Sequence, residues 1–262
     1  MRHGRPAARG ARFRDRVLAL ARPIHGWAAF VIVLGLLGFN FLASSAVAAI
    51  LAVLLPRHMR APLGRRIIRN GFRLNLAIMR VSGLCRLDLS GLDALKHARG
   101  LVVTPNHPSL LDVMLIVSCL PDAVCITKAA LWNNPLVGGT ARLAGYIRND
   151  SPLLLVRRAT AELRAGANLL IFPEGTRTPA DAAPLGPFKP GFALMAKAAG
   201  APIQTVFIEA ETPYLRKGWP VWRKPPLPMT FRVRLGEQER VEGPTQPFVR
   251  QLEARMREAL SR

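Results

Sequence analysis

Acidic side chains are scarce in this sequence: 16 aspartates and glutamates stand against 37 lysines and arginines, a formal charge of +21 over 262 residues. That imbalance excludes a self-neutralised surface and leaves two kinds of partner, nucleic acid and an anionic membrane. Cysteine is scarcer still. Cys85, Cys119 and Cys125 are odd in number and form no Cys-x-x-Cys pair. A disulfide framework and a zinc ribbon are thereby excluded, and free thiols in a reducing compartment remain. Cys119 and Cys125 fall in apolar surroundings and read as packing residues. The five histidines (His3, His25, His58, His97 and His107) are scattered without ligand spacing, so no metal is expected. Zinc-finger spacing, an RNA-binding aromatic signature and a basic helix with heptads are all missing, which sets nucleic acid aside. No Gly-x-Ser-x-Gly elbow is present, so nothing points to an acyl-enzyme on serine.

What is abundant is apolar. Half the residues are hydrophobic, and residues 27–55 carry no charged side chain. As one straight helix that run would be about 43 Å long, against a hydrocarbon core of about 30 Å. Gly38, Asn40, Ser44 and Ser45 near its middle are weak helix formers, so two shorter helices meeting at a bend compete with a single tilted span. Seven arginines precede the run within residues 1–22, and seven more follow within 57–80. With both flanks basic, no positive-inside asymmetry orients a span. A hairpin dipping into the cytoplasmic leaflet of the inner membrane is therefore expected ahead of a span, with the arginine-rich start lying on anionic lipid. Residues 57–80 mix arginine with Ile67, Ile68, Phe72 and Leu76, giving a basic amphipathic helix that faces either lipid or water. These residues form the expected membrane-embedded unit, 1–80, ahead of a catalytic domain over 81–262. The length suits one such domain.

From residue 85 onward, short strands alternate with helices, which indicates an α/β domain with a mixed, mostly parallel sheet flanked by helices. Strands are expected over 85–89, 123–127, 169–172, 203–209 and 229–235. Helices are expected over 152–165, 191–199 and 247–260. Two strand ends carry chemistry. In Leu101-Val102-Val103-Thr104-Pro105-Asn106-His107-Pro108-Ser109-Leu110-Leu111-Asp112, a strand ends at Pro105 and Pro108 reads as a first helical residue, with the helix over 110–120. That places His107 at the turn and Asp112 about one helical turn along. A carboxylate in reach of an imidazole fixes its tautomer and raises its basicity, making a general base. A capped turn with a surface aspartate has the same spacing, so this stretch alone does not decide. The second stretch is Asn168-Leu169-Leu170-Ile171-Phe172-Pro173-Glu174-Gly175-Thr176-Arg177-Thr178, an apolar strand followed by a turn with one acid and one arginine.

Together the two stretches resemble the glycerolipid acyltransferase family that acylates lysophosphatidic acid, which pairs a histidine–aspartate motif with a later Phe-Pro-Glu-Gly-Thr-Arg motif. The resemblance extends to Lys128 with Pro135 and Gly138, to Gly145-Tyr146-Ile147-Arg148, to Phe188-Lys189-Pro190-Gly191 and to Ala201-Pro202-Ile203, roughly residues 80 to 210. It implies a glycerol-3-phosphate acyltransferase-like fold and acyl transfer from a thioester, acyl-CoA or acyl-carrier protein, to the free hydroxyl of a lysophospholipid. No bound cofactor is implied. It also implies His107 as base and Asp112 as its orienter, and it assigns Glu174, Gly175, Thr176 and Arg177 to acceptor binding, with Lys128 and Arg148 as further phosphate candidates. Arginine offers a planar fork for phosphate, and Gly175 permits close backbone approach.

The middle motif departs from the family: Gly145-Tyr146-Ile147-Arg148-Asn149-Asp150 is shorter and polar, which leaves the role of Arg148 open. It also keeps a second acceptor in view, a lyso-ornithine lipid or another lysophospholipid. From a different class, a non-catalytic membrane-binding protein with the same fold is disfavoured by the intact His107 and Asp112. Asn106 is expected to brace the His107 turn through side-chain hydrogen bonds. Backbone N–H groups at the following helix start are the expected donors to a developing oxyanion. Finally, residues 214–226 hold Trp219 and Trp222 among Arg216, Lys217, Arg223 and Lys224. Such a mixture suits a headgroup layer near the mouth of the site, or a plain proline-rich surface loop.

Overall fold

The computed structural model describes residues 7–179 and 184–261. Side chains before Gly26, and with them the lipid contact expected of the basic arm over residues 1–22, lie outside the described residues. In chain order the elements are α1 (Ala7–Leu54), α2 (Arg57–Val81), β1 (Cys85–Asp88), a 3-10 helix (Ser90–His97), β2 (Val102–Pro105), α3 (Asp112–Cys119) and β3 (Ala123–Thr127). There follow α4 (Ala129–Trp132), α5 (Gly138–Leu143), β4 (Ile147–Arg148), α6 (Pro152–Arg164), β5 (Asn168–Leu170), α7 (Gly191–Ala199), β6 (Ile203–Glu211), β7 (Met229–Glu239) and α8 (Thr245–Ser261).

One sheet runs in the order β1-β7-β6-β2-β5-β3-β4. The five strands from β6 to β4 are mutually parallel, and β7 joins antiparallel to β6 with β1 parallel to β7. Parallel strands covered on both faces read as continuous apolar runs, and β2 and β5 are buried at every position. Successive side chains still alternate between faces. Val103, Cys125 and Leu170 enter one core with α2 and α3, whereas Val102, Val124 and Leu169 enter a second core with α6, α7 and α8. The fold is thus the expected mixed, mostly parallel sheet between helical layers. Its parallel strands deliver their carboxyl ends, where both motifs lie, to one edge. Asn168, fully buried, closes the opposite edge: its Nδ2 donates to the carbonyls of Ala98 and Pro121, and its Oδ1 accepts from Leu101 N.

The N-terminal unit departs from expectation in three ways. First, no bend interrupts residues 27–55; α1 continues to Leu54, and the break comes at Leu55–Pro56. The polar residues that suggested a bend are packing contacts. Asn40 Nδ2 donates to Asn75 Oδ1 (2.6 Å) and Gly71 O (3.3 Å) of α2, and Ser45 Oγ accepts from Gly139 N of α5 (3.0 Å). Phe30, Val33, Ser45 and Ala48 form the buried face of α1, while Trp27, Val31, Ile32, Phe39, Ile50, Val53 and Leu54 remain exposed.

Second, the arginines of α2 face neither lipid nor water alone. Arg65, Arg69 and Arg73 recur at helical spacing and point into the catalytic domain. Arg65 is buried, pairing with Asp122 (3.0 Å) and Glu162 (2.7 Å) and donating to Ala144 O. Arg69 and Arg73 donate to the last carbonyls of α3, at Ser118 and Cys119, where a cation also complements the helix dipole. Third, Ile68, Leu76 and Met79 of α2 belong to the same core as α3, so the boundary expected at residue 80 does not separate two cores.

Burial pushes the thiols of Cys85 and Cys125 up to about 12, in keeping with packing roles. Only about 10⁻⁴ of either thiol is ionised at pH 8. Iodoacetamide at that pH is expected to leave Cys85 and Cys125 unlabelled until denaturant is added, as mass spectrometry of the peptides would record. Packing of α2 gives a second expectation. A Cβ on Gly64 would lie 2.5 Å from Ala144 N and 2.7 Å from its Cα, both backbone atoms that cannot yield cheaply. Gly64→Val should destabilise the protein by about 1–3 kcal/mol. That loss is readable as a lower melting temperature in detergent, whereas an unchanged melt would show that α2 does not seat against Ala144.

Candidate active site

Asn106 is the first residue past β2 and is buried. Its Nδ2 donates to Ile208 O (2.9 Å), and its Oδ1 accepts from Ile208 N (2.7 Å). The side chain thereby continues the ladder between β2 and β6 for one more step and fixes where the chain leaves the sheet. This is the bracing role expected of Asn106. His107 follows. Residues 108–111 form an open turn, and α3 begins only at Asp112, later than the Pro108 or Leu110 start expected from sequence. Side-chain hydrogen bonds of Ser109 and Asp112 hold this turn. Ser109 N donates to Asp112 Oδ2 (2.8 Å), and Leu111 N donates to Ser109 Oγ (3.2 Å).

The same Asp112 oxygen meets His107 Nδ1 at 2.9 Å, and Asp112 has no exposed surface. His107 and Asp112 are therefore together, as expected. Burial pushes the Asp112 carboxyl upward, against the downward pull of His107 and the Ser109 N–H; nearby Glu174 adds to the rise. Its other oxygen, Oδ1, is buried without a hydrogen-bond partner among the described residues. Phe172 stacks on the imidazole with centroids 3.7 Å apart and planes 18° apart. With Nδ1 held and one ring face covered, Nε2 is the ring nitrogen left without a protein partner among the described residues. A base needs one lone pair in such a position.

Glu174 corrects the sequence reading. Expected at the acceptor, it is instead turned inward, 4% exposed. Oε1 accepts from His107 N (3.1 Å), Oε2 accepts from Gly186 N (2.9 Å), and Thr178 Oγ1 lies 2.9 Å from both oxygens. Thr178 N in turn donates to His107 O (2.8 Å). The turn after β5 therefore grips the histidine backbone from both sides. Gly175 takes the left-handed conformation at φ 69° and passes under the Lys189 side chain. Arg177 is half-buried; its Nη1 donates to Leu215 O (2.8 Å) and Arg216 O (3.2 Å). Thr176 and Arg177 have no backbone N–H partner among the described residues.

The remaining candidates lie farther along the same edge. Lys128 is exposed at the tip of β3 and Arg148 at the tip of β4, two and three strands from β2. At about 4.8 Å per strand, that is roughly 10 and 14 Å. Arg148 is ion-paired with Asp150, which holds that carboxyl below its ordinary range. Of the backbone N–H groups expected as oxyanion donors, those between His107 and Asp112 are not free. His107 N, Ser109 N, Leu110 N, Leu111 N and Asp112 N are all engaged, and Pro108 has none. No group of three or more His, Cys, Asp or Glu able to hold a metal ion occurs among the described residues.

Three contributors escaped the sequence reading. Ser109 could have been found from its Ser-x-x-Asp spacing. Phe172 stacking carries no local signal, and neither do the backbone acceptors of the segment after β6, which sequence placed near the mouth of the site only as a membrane contact or surface loop. There Tyr214 O accepts from Ser109 Oγ (3.0 Å) and Leu215 O accepts from Leu110 N (3.1 Å). The inward Glu174 gives a prediction: Glu174→Ala leaves two buried N–H groups unpaired, each costing about 1–3 kcal/mol. Its melting temperature should fall well below that of Glu174→Gln, which keeps one acceptor; equal melts for wild type and Glu174→Ala would exclude the brace.

Residues 86–209 match the Acyltransferase family model. The 1-acyl-sn-glycerol-3-phosphate acyltransferase of Pseudomonas aeruginosa is 26% identical over 185 residues, 68% of this chain and 69% of that protein. The lyso-ornithine lipid O-acyltransferase of the same organism is 36% identical over 119 residues, 44% of this chain and 43% of that protein. The chain spans between 33% and 69% of the length of the curated relatives it matches. The crystal structure of the 1-acyl-sn-glycerophosphate (LPA) acyltransferase PlsC from Thermotoga maritima superposes with a TM-score of 0.59 at 20% identity, covering 87% of this chain and 97% of that one. The buried histidine–aspartate pair thus sits inside the segment that matches the Acyltransferase model, on the fold of the Thermotoga protein, and over that segment the chain is similar to glycerolipid acyltransferases.

Proposed function

We propose that the protein transfers an acyl group from a thioester, acyl-CoA or acyl-carrier protein, to the free hydroxyl of lysophosphatidic acid, giving phosphatidic acid. The observation that carries this reading is the buried His107 Nδ1–Asp112 Oδ2 contact of 2.9 Å with Nε2 left open. A hydroxyl is a poor nucleophile near neutral pH and needs a base as it attacks. His107 Nε2 takes the hydroxyl proton while the oxygen adds to the thioester carbonyl. The tetrahedral adduct collapses with cleavage of the C–S bond, and the departing sulfur takes the proton back. Asp112 holds the ring tautomer and stabilises the imidazolium between these steps. No protein side chain is acylated.

The acceptor phosphate meets the turn after β5. Arg177 retains donors beyond the Nη1 held by Leu215 and Arg216, and the Thr176 and Arg177 backbone N–H groups lie beside the left-handed Gly175, an arrangement suited to an anion. Lys128 supplies further positive charge from the neighbouring strands. Arg148 does so only on release from Asp150.

The same reading places the protein on the cytoplasmic face of the inner membrane. Residues Gly26–Leu54 have a mean hydropathy of 2.1, and only 17% of their most apolar window is buried. The buried positions of α1 run from Phe30 to Ala48, about 27 Å of helix. A span would drag the attached domain into hydrocarbon. An α1 lying in one leaflet, with α2 as the return arm, keeps the domain in water and the apolar face in lipid.

A specific observation keeps a second acceptor in view: similarity extends to two lyso-ornithine lipid O-acyltransferases, and the Arg148–Asp150 pair offers both charges to a zwitterionic headgroup. The test is acyl transfer by detergent-solubilised full chain with acyl-CoA and each acceptor, beside His107→Ala. Wild type should form phosphatidic acid, and the variant should lose on the order of 10²-fold or more. Product from lyso-ornithine lipid alone would move the assignment to that acceptor. Equal turnover by wild type and variant would refute His107 as base.

A further inference from the structure

The segment after β6 has two edges that face different surroundings. Its inner edge is wall to the site. Tyr214 O holds Ser109, Leu215 O holds Leu110 and Arg177, and Arg216 O holds Arg177 again. Leu215 reaches this position in the left-handed region, at φ 57°, with its side chain buried. A non-glycine residue in that conformation is strained and persists only when its surroundings over-determine it. The outer edge meets the start of the apolar stretch of α1. Tyr214 packs edge-on against Phe30 (5.7 Å), and Lys224 Nζ sits 5.7 Å from the centre of the Trp27 ring.

The two tryptophans of the segment, grouped together on sequence, part company in three dimensions. Trp219 is tucked in: its Nε1 donates to Arg223 O (2.9 Å), and the Arg223 guanidinium covers its ring at 4.4 Å. Trp222 is 75% exposed beside Val221, itself 44% exposed. Arg216, Lys217, Arg223 and Lys224 surround them, and residues 212–226 contain no acid. An exposed indole amid unopposed cations, continuous with the exposed Trp27 at the rim of an apolar helix, matches the chemistry of a headgroup layer.

We infer that residues 214–224 form a second lipid-binding strap that seats Val221 and Trp222 in the headgroup layer of an anionic bilayer. Because its inner edge holds the turns carrying His107 and Arg177, this contact sets the site at the depth where a lysolipid presents its hydroxyl. The inference rests on the reading that α1 lies in a membrane.

The experiment uses the full chain in vesicles of phosphatidylcholine and phosphatidylglycerol carrying shallow or deep dibrominated acyl chains, which quench nearby indole fluorescence. Wild type, Trp27→Phe and Trp222→Phe are compared, so that differences isolate the emission of each tryptophan. The Trp222 emission should be quenched by the shallow lipid about as strongly as that of Trp27, and less by the deep lipid. In phosphatidylcholine alone, the Trp222 quenching should drop severalfold. Quenching of Trp27 without quenching of Trp222 would overturn the strap and leave the seating of α1 intact. Quenching of neither would overturn both. Equal Trp222 quenching with and without phosphatidylglycerol would remove the anionic partner.

Discussion

Glu174 is a carboxylate out of reach of water, and the three donors it satisfies come from different places: the residue leaving β2, its own turn, and the chain twelve residues on. Charge-assisted hydrogen bonds in a low-dielectric interior are stronger than neutral ones, and their loss strands each donor. So the position of the His107 backbone is set by the β5 turn and not by the flexibility of its own loop. The Asn106 side chain fixes the same residue from the β6 side. Between these two grips, the imidazole needs only Asp112 and Phe172 to fix its ring. Every later element of the site inherits its position from that arrangement, because Thr178, Gly186 and Arg177 are all measured off the same turn.

Much of this was legible in the residues. Helix α7 falls on residues 191–199 as expected, and β3 on 123–127, because apolar periodicity and flanking Gly or Pro mark both plainly. The His107–Asp112 pairing was legible because five residues of separation can close a turn. Contacts across long sequence separations were not. A carboxylate in a Pro-Glu-Gly turn looks solvent-facing from its neighbours, and only the fold turns Glu174 inward. Likewise, Asn40 and Ser45 read as helix breakers until α2 and α5 supply their partners. The two-residue β4 is too short to leave a pattern.

The excess of positive charge also looks different once placed. Arg65 is neutralised within the protein, and Arg69 and Arg73 hold the carbonyl end of α3. These cations serve packing, which a formal charge of +21 does not distinguish from attraction to lipid. The acid-free stretch around Trp222 is one place where charge stays without an ion pair at the surface, beside the apolar rim of α1.

The seating of α2 bears on how such a protein can be handled. Its Ile68, Leu76 and Met79 complete the core beneath α3, and its arginines terminate that helix. Cutting the chain near residue 80 would bare that core and leave the α3 carbonyls of Ser118 and Cys119 without their arginine partners. The apolar helix α1 packs on the same α2 through Asn40, Asn75 and Gly71. The apolar helix and the active-site domain are thereby linked through one shared helix, so a change that unseats α2 disturbs both.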